Sequence, residues 1–204
     1  VALQTFARLG GRVRRGRELG ALTVGVLGLG RIGRGVAARL SGFSSEIRAH
    51  DPFADPNAFD GVRPVTLAEL ADCDAVSLHA PGGATVVDAA WLAAARPGLV
   101  LVNTARADLV DEHAVAEALR TGTLGGYATD VPHTEHGADS PLLADDLADR
   151  VVVTPHLAAH TVEAVDRMGT GAAQAVLDVL AGRQPDHIVR PVRTEAGQHG
   201  GDQR

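Results

Sequence analysis

From residue 22 onward, short apolar runs alternate along the chain with amphipathic stretches. The apolar runs that predict strands are 22–28, 46–51, 75–79, 99–103, 125–130 and 151–155. The stretches that predict helices are 31–40, 66–72, 88–96, 111–121 and 161–181. Nearly continuous apolar strands that alternate with helices indicate a parallel sheet that is covered on both faces. The predicted fold class is therefore α/β, a doubly wound parallel sheet.

Two of the predicted helices carry further local signals. Ile32, Val36 and Leu40 recur at intervals of four, which places them on one face of the first helix. Thr66, with Glu69 three residues later, has the spacing of a capping box. The faces and starts of these helices are thus predicted together with their existence.

A glycine pattern lies between the first predicted strand and the first predicted helix. The sequence there reads Gly-Leu-Gly-Arg-Ile-Gly, the G-x-G-x-x-G spacing of a dinucleotide-binding Rossmann fold. Gly28 permits the tight turn, Gly30 lets the backbone approach a pyrophosphate, and Gly33 allows the helix to pack on the strand. The helix that starts at Arg31 and Ile32 would offer free N–H groups and a partial positive charge to the phosphates.

A carboxylate ends the next predicted strand. Asp51 follows Gly33 by 18 residues, close to the spacing at which an acidic residue binds the adenosine ribose. Such a carboxylate accepts hydrogen bonds from the ribose hydroxyls and repels a 2′-phosphate. NAD is therefore the predicted cofactor, in preference to NADP. The alternative interpretation is a glycine-rich turn and a solvated aspartate.

Three further segments are similar to motifs of the D-isomer-specific 2-hydroxyacid dehydrogenases. Residues 102–119 resemble the strand, loop and helix around N-T-A-R-G in that family. Residues 125–142 resemble its A-L-D-V-F-x-x-E-P-L segment, and residues 151–164 resemble its T-P-H-I-x-x-x-T-x-E-A segment. Together with VGVLGLGRIG and AHDP, the matches run in the family's order over about residues 20 to 190.

The resemblance implies hydride transfer between NAD(H) and the 2-position of a D-2-hydroxy acid or 2-oxo acid. Arg106 is expected to bind the substrate carboxylate, because a guanidinium pairs with a carboxylate bidentately. His156 is expected to be the acid/base, and Glu135 is expected to hold and charge-balance it. Asp130 is expected near the nicotinamide end of the cofactor. The residues expected to line the cofactor cleft are His79, Ala80, Thr104, Ala105 and Ala159.

The chain also departs from the family pattern. The loop at 81–85, PGGAT, is shorter than the family's loop, which reads P-L-T-P-E-T. Ala107 replaces the glycine after Arg106, which requires a negative backbone φ at that position. Pro132 and His136 differ from the residues that flank the glutamate in the family.

The family carries a substrate-binding domain ahead of the matched segment, so the chain is interpreted as N-terminally truncated. Residues 1–19 are interpreted as the remnant of an interdomain helix and linker, 20–182 as the NAD-binding Rossmann domain, and 183–204 as a partly disordered tail. One hypothesis is a dehydrogenase seen in part. The other is a non-catalytic NAD-binding module or truncated pseudoenzyme. Negligible turnover is predicted for this chain alone, because domain closure normally excludes water from such sites.

Composition and charge narrow the set of partners. The 204 residues carry a formal charge of −6, which offers no concentrated positive surface for nucleic acid. The basic cluster at 12–17 is interpreted as a solvated linker. No apolar run approaches the roughly 20 residues that span a bilayer, and a signal-peptide pattern is lacking at the start. The predicted location is therefore cytoplasmic, without membrane contact.

The remaining predictions concern chemistry and assembly. Cys73 is the only cysteine, and its place before an apolar strand predicts a buried, inert thiol. No metal is expected, since no histidine pair at zinc-ligand spacing has a credible third ligand. By resemblance, the protein is expected to form a homodimer through the cofactor domain and to act on a small 2-hydroxy or 2-oxo acid. The sequence leaves open which acid this is.

Overall fold

The computed structural model describes residues 16–43, 45–54, 60–133, 140–186 and 188. It divides the chain into two compact units, 1–158 and 159–204. Among the helices of the described part, none combines the length and the apolarity that crossing a membrane would need. The prediction of a single domain over 20–182 stays a prediction.

The first unit is built on one parallel sheet. Its strands are β1 (Thr23–Leu27), β2 (Glu46–His50), β3 (Val62–Pro64), β4 (Ala75–Leu78), β5 (Leu99–Asn103), β6 (Leu124–Thr129) and β7 (Val151–Val153). They lie in the order β3-β2-β1-β4-β5-β6-β7, and every neighbouring pair is parallel. The strand order reverses direction between β1 and β4, which is where such sheets leave a crevice beyond their carboxyl ends. The predicted doubly wound fold is confirmed.

Helices and short 3₁₀ turns connect the strands. The helices of the first unit are α1 (Arg31–Ser41), α2 (Leu67–Leu70), α3 (Ala89–Ala93) and α4 (Glu112–Thr121). Thr66 and Glu69 form the predicted capping box at the start of α2. Asp88 and Asp111 cap α3 and α4 by accepting backbone N–H bonds in the same way.

One strand was not predicted. β3 has only three residues and ends in Pro64, so it lacks the long apolar run that marked the other strands. It lies at the edge of the sheet, where a residue without an N–H group leaves no ladder bond unmade.

Two apolar clusters flank the sheet, because alternate strand residues point to opposite faces. Val26 packs with Ala37 of α1 and Ile47 of β2, whereas Leu27 belongs to the larger cluster. Cys73 lies in that larger cluster with none of its surface exposed. Burial raises the pKa of its thiol to about 11, so the prediction of a buried, inert cysteine is confirmed.

The second unit contains the helix α5 (Val162–Leu180), which the sequence predicted over 161–181. The Thr161 hydroxyl caps its start by accepting the N–H of Ala164 at 3.1 Å. Gly182 lies just beyond the end of α5 and has a φ of +71°. Helices often end at a residue in this left-handed backbone conformation, which glycine adopts most readily. The tail residues from 189 onward, like residues 1–15, lie outside the described residues.

α1 docks on β1 through its small residues. Its buried positions are Gly33 and Ala37, whereas Ile32 is 69% exposed. A Cβ atom at Gly33 would lie 1.9 Å from the carbonyl oxygen of Gly28, so no larger residue fits there. A Cβ atom at Gly30 would meet nothing within 4 Å.

This difference predicts opposite outcomes for two matched substitutions. Gly33→Ala is expected to lower the free energy of unfolding by about 3 kcal/mol, because the added methyl group must push α1 away from β1. Gly30→Ala is expected to cost less than about 1 kcal/mol, the difference between glycine and alanine at a helix N-cap. Urea unfolding of the two variants measures both values. Equal losses of stability would contradict the close approach at Gly33.

A largely buried carboxylate, that of Asp74, ties together the amino ends of β1 and β4. Asp74, with a side chain 9% exposed, accepts the N–H of Thr23 at 2.9 Å and pairs with Arg96 at 3.0 Å. Arg17, which the sequence placed in a solvated cluster, also donates to Asp74. Burial alone would raise the pKa of the Asp74 carboxyl, but the Thr23 N–H and the two guanidinium groups outweigh burial and lower that pKa.

The lowered pKa of Asp74 predicts a pH-dependent contribution to stability. Its folded pKa lies below the unfolded value of about 3.9, so the contribution is complete above that value and is lost as the pH falls through the folded pKa. Asp74→Asn is expected to lower the free energy of unfolding by about 1 kcal/mol near neutral pH. Urea unfolding of the variant and the wild type from neutral to acid pH should show the two converging below about pH 4. The exposed Asp149→Asn is the charge-matched control.

Candidate functional site

The carboxyl ends of β1 and β4 meet at a glycine. Gly28 has a φ of +91°, and a Cβ atom there would lie 2.7 Å from both the backbone nitrogen of Ala80 and the carbonyl carbon of His79. The His79 N–H donates to the carbonyl oxygen of Leu27 at 2.7 Å. The backbone at His79 and Ala80 therefore lies directly against the glycine turn, which is where the sequence expected these residues to line a cleft.

The N-terminus of α1 faces an open space. The N-cap of α1 is Gly30, which has no side chain to accept the helix N–H groups. Arg31 and Ile32 of the first turn are exposed. The helix N–H groups together with the dipole favour an anion at this end. Because a Cβ atom at Gly30 would project into unfilled space, the backbone can be approached closely by a phosphate. This arrangement fits the pyrophosphate of a dinucleotide.

Asp51, just beyond β2, fixes the glycine turn from the side. One carboxylate oxygen accepts the N–H of Leu29 at 2.7 Å, and the other accepts the N–H of Phe53 at 2.9 Å. A carboxylate has about four acceptor positions, so both oxygens retain capacity for the hydroxyl groups of a ribose. The same residue thus holds the turn and presents a negative charge beside it.

His79 is half-buried at the end of β4. Its Nε2 atom is hydrogen-bonded to the Ser77 hydroxyl at 2.9 Å. Burial lowers the pKa of the imidazole, so the ring is neutral at neutral pH. The ring is therefore a neutral polar group beside Ser77 at the end of β4.

The turn after β5 carries Arg106 and is held from inside by a buried amide. Asn103, with none of its surface exposed, accepts the N–H of Ala105 at 3.0 Å and donates to the carbonyl oxygen of Arg106 at 2.8 Å. Arg106 and Thr104 are exposed, and Arg106 has an extended backbone. Ala107 begins a 3₁₀ turn with negative φ, as its replacement of a glycine requires.

The loop after β7 carries His156 and is held by a buried carboxylate. Asp130 is 4% exposed and accepts the Thr154 hydroxyl at 2.5 Å, the Leu157 N–H at 2.8 Å and the Ala158 N–H at 2.9 Å. His156 lies inside this arc with a φ of +56°, and its own N–H donates to the Asp130 carbonyl oxygen at 2.8 Å. Among the described residues it is the only one besides glycines with a positive φ.

The charge of Asp130 is maintained by these same contacts. Burial would raise the pKa of its carboxyl, but the Thr154 hydroxyl, the two N–H groups and the neighbouring His156 together lower it. The carboxylate is thus ionised at neutral pH, and His156 is near enough to interact with it electrostatically.

Two of the predicted positions cannot be placed in this crevice. Glu135 lies outside the described residues, between His133 and Ser140, which both bond to the buried carboxylate of Glu112. Ala159 belongs to the second unit, where its carbonyl oxygen accepts the Thr161 N–H at 3.0 Å. The other predicted site residues lie at the carboxyl edge of the one sheet.

The two halves of this edge are connected through the backbone. The Asp130 N–H donates to the carbonyl oxygen of Asn103 at 3.0 Å, which joins the Arg106 turn to the His156 loop. Gly82, next to the β4 end, lies so close to Arg106 that a Cβ atom there would be 3.1 Å from the arginine Cγ atom. The carboxyl ends of the strands therefore carry the glycine crevice, Arg106 and His156 along one edge of the sheet.

The sequence did not indicate three residues that shape this edge. Thr154, Asp108 and Glu112 hold loops through hydrogen bonds, and the only available signal was their position inside the matched motifs. In the part of the chain that the structure describes, no group of three or more His, Cys, Asp or Glu side chains could hold a metal ion.

Comparisons with known proteins agree with this arrangement. The model of the "D-isomer specific 2-hydroxyacid dehydrogenase, NAD binding domain" matches residues 5–158. D-3-phosphoglycerate dehydrogenase of Mycobacterium leprae is 44% identical over 180 residues, which are 85% of this chain and 34% of that protein. (S)-sulfolactate dehydrogenase of Chromohalobacter salexigens is 41% identical over 165 residues, 75% of this chain and 51% of that protein.

Solved structures give the same result. D-lactate dehydrogenase from Aquifex aeolicus, complexed with NAD and lactic acid, has a TM-score of 0.75 at 27% identity, over 88% of this chain and 60% of that one. The chain therefore spans from about a third to three fifths of the length of these proteins. It belongs to the D-isomer specific 2-hydroxyacid dehydrogenase family, an enzyme family, and carries that family's NAD-binding domain.

Proposed function

We propose that this domain serves hydride transfer between NAD(H) and the 2-position of a D-2-hydroxy acid or 2-oxo acid. The observation that carries the proposal is the pairing of two fixed loops. Asn103 holds the Arg106 turn, Asp130 holds the His156 loop, and a backbone bond from Asp130 to Asn103 joins them beside the glycine crevice. The family contributes the reaction class.

The residues that would hold NAD lie along the crevice. Gly28, Gly30 and the N-terminus of α1 would receive the pyrophosphate, and Asp51 would accept hydrogen bonds from the adenosine ribose. When bound, NAD supplies the acceptor or donor of the hydride. The residues of the first unit expected to line the remaining cleft are His79, Ala80, Thr104, Ala105 and Asp130.

The chain's own residues would supply binding and proton transfer. Arg106 is exposed and permanently charged, so it can pair with the substrate carboxylate and hold the 2-carbon in place. In the reducing direction, His156 donates its proton to the carbonyl oxygen, which becomes the hydroxyl group of the product. In the oxidising direction, His156 takes that proton back as the carbonyl group forms.

Two carboxylates would support His156 in different ways. Asp130 holds the loop on both sides of the histidine, through the Thr154 hydroxyl and the N–H groups of residues 157 and 158, and its negative charge acts on His156. Glu135 is proposed, by resemblance, to orient the imidazole. Such pre-organisation matters because proton transfer requires the donor and acceptor atoms within hydrogen-bonding distance.

The substrate class follows from shared chemistry. The similar proteins named above act, by their names, on 3-phosphoglycerate, sulfolactate and lactate. These acids share a carboxylate next to the hydroxyl-bearing carbon, which is the pair that Arg106 and His156 would recognise. A homodimer through the cofactor domain and a cytoplasmic location stay predictions, as does the alternative of a non-catalytic NAD-binding module.

Asp51 is predicted to set the cofactor preference. Asp51→Asn keeps the size of the side chain but removes the charge that repels a 2′-phosphate. The ratio of the dissociation constants for NADPH and NADH, measured by titration calorimetry, is expected to fall about tenfold. Asp149→Asn removes the same charge from an exposed position away from the crevice and should leave the ratio unchanged. An unaltered ratio in Asp51→Asn would show that another group discriminates the ribose.

His156 is predicted to carry the proton without contributing to NADH affinity. His156→Asn is the suitable variant, because asparagine tolerates a φ near that of His156 and can keep the loop in place. Because little turnover is expected of this chain alone, oxidation of NADH by glyoxylate or hydroxypyruvate is followed over hours with the protein in excess. Any catalysed rate of the wild type is expected to fall about 100-fold, to the protein-free rate, in the variant, while NADH affinity stays within about twofold.

A measurable wild-type rate that is equal in His156→Asn would remove the histidine from the mechanism. Because negligible turnover is predicted for this chain alone, NADH binding without turnover is compatible with both hypotheses. Failure of the wild type to bind NADH in calorimetry would rule out the non-catalytic module.

A further inference from the structure

The short loop at 81–85 is bonded along its length to the turn that carries Arg106. The Gly83 N–H donates to Oδ2 of Asp108 at 2.6 Å, and the Thr85 hydroxyl donates to the Asp108 carbonyl oxygen at 3.0 Å. The N–H groups of the next two residues, 86 and 87, both donate to the Leu109 carbonyl oxygen at 3.0 Å. The second half of the loop and the two residues that follow it are therefore bonded to the turn through four residues, 83, 85, 86 and 87.

Among the described residues, Asp108 is the only one of the 107–109 turn whose side chain hydrogen-bonds to this loop. Its carboxylate lies over the two glycines, because a Cβ atom at Gly82 would be 2.6 Å from Oδ1 of Asp108. Gly83 has a φ of +115°, which points its N–H at the carboxylate and favours glycine at this place. The sequence of the short loop and the acidic residue at 108 thus fit each other.

Arg106 is contacted from two sides, by Asn103 and by Gly82. On the inner side, the amide of Asn103 donates to the Arg106 carbonyl oxygen at 2.8 Å. On the outer side, Gly82 packs so closely that its Cβ atom would lie 3.1 Å from the Arg106 Cγ atom. The stem of the arginine side chain is therefore bordered by the loop that Asp108 holds.

We propose that Asp108 is a positioning residue, which holds the 81–85 loop against the Arg106 turn and thereby directs the guanidinium toward the carboxylate of a 2-oxo acid. This inference rests on the proposed role of Arg106. With the loop released, the Arg106 stem loses its outer border while the NAD-binding crevice at Gly28 and Gly30 keeps its own contacts. Asp108 is thus expected to affect the affinity for the acid and not that for the cofactor.

The test uses the 204-residue chain in three variants. Asp108→Ala removes the acceptor, and Gly82→Ala inserts a methyl group that would meet both the Asp108 carboxylate and the Arg106 Cγ atom. Asp108→Asn is the conservative variant, because its amide oxygen can still accept the Gly83 N–H. Asp149→Ala is the control for loss of an exposed charge. For each protein, calorimetry gives the dissociation constants of NADH and of oxamate, an unreactive 2-oxo acid analogue, in the presence of NADH.

Asp108→Ala and Gly82→Ala are each expected to weaken oxamate binding about tenfold, as a misplaced binding group does, with NADH affinity within about twofold of wild type. Asp108→Asn is expected to restore most of the oxamate affinity. Amide hydrogen exchange should quicken at Gly83 and also at Leu109, whose N–H donates to the Arg106 carbonyl oxygen. Faster exchange at both residues would support the inference that the 81–85 loop and the 107–109 turn form one hydrogen-bonded unit.

Two results would overturn the inference alone. One is oxamate affinity that is unchanged in Asp108→Ala, and the other is an equal loss of NADH and oxamate affinity, which a merely structural role would give. A wild-type chain that binds NADH but no oxamate would overturn the proposed role of Arg106, and the positioning role would fall with it.

Discussion

The close approach of β1 and β4 at Gly28 is the constraint on which the rest of the structure depends. With a positive φ and with His79 and Ala80 within 3 Å of the place of a Cβ atom, this position admits only glycine. The turn then delivers α1 onto β1, where Gly33 repeats the requirement against the Gly28 carbonyl group. With both contacts in place, Gly30 faces unfilled space at the N-terminus of α1. The anion site is thus a consequence of two packing requirements.

The histidine loop follows a different physical logic. A residue other than glycine in the left-handed region costs roughly 1–2 kcal/mol, so His156 needs compensation. Asp130 provides it by accepting two N–H groups and a hydroxyl from the loop, while its own backbone carbonyl accepts the His156 N–H. The carboxylate is nearly inaccessible to water, and each bond to it is therefore stronger than an exposed one. His156 is thus held in place by the buried Asp130 carboxylate, whose charge is satisfied by hydrogen bonds from the loop.

The sequence predicted most of the sheet because strands such as β1, β5 and β7 form nearly continuous apolar runs. It missed β3, whose three residues at the sheet edge carry no such run. It placed Gly28, Asp51, Arg106, Asp130 and His156 at strand ends, since a parallel sheet brings its carboxyl ends to one edge. It gave no account of how the loops are held. The bonds of Asp108 and Glu112 join segments more than 20 residues apart, and a motif does not record such pairings.

Carboxylates that hold loops account for much of what distinguishes this edge. Asp51, Asp108 and Asp130 each accept a backbone N–H from a neighbouring segment, Asp51 and Asp130 directly after a strand and Asp108 in the turn that follows β5. Backbone N–H groups beyond a strand end have lost their ladder partners, so an acidic side chain there satisfies a donor that would otherwise need water. The same side chains leave negative charge beside a crevice whose proposed ligands are anions. The cationic Arg106 and the N-terminus of α1 therefore have to supply the attraction locally, which places the demand for accurate positioning on the turn that carries Arg106.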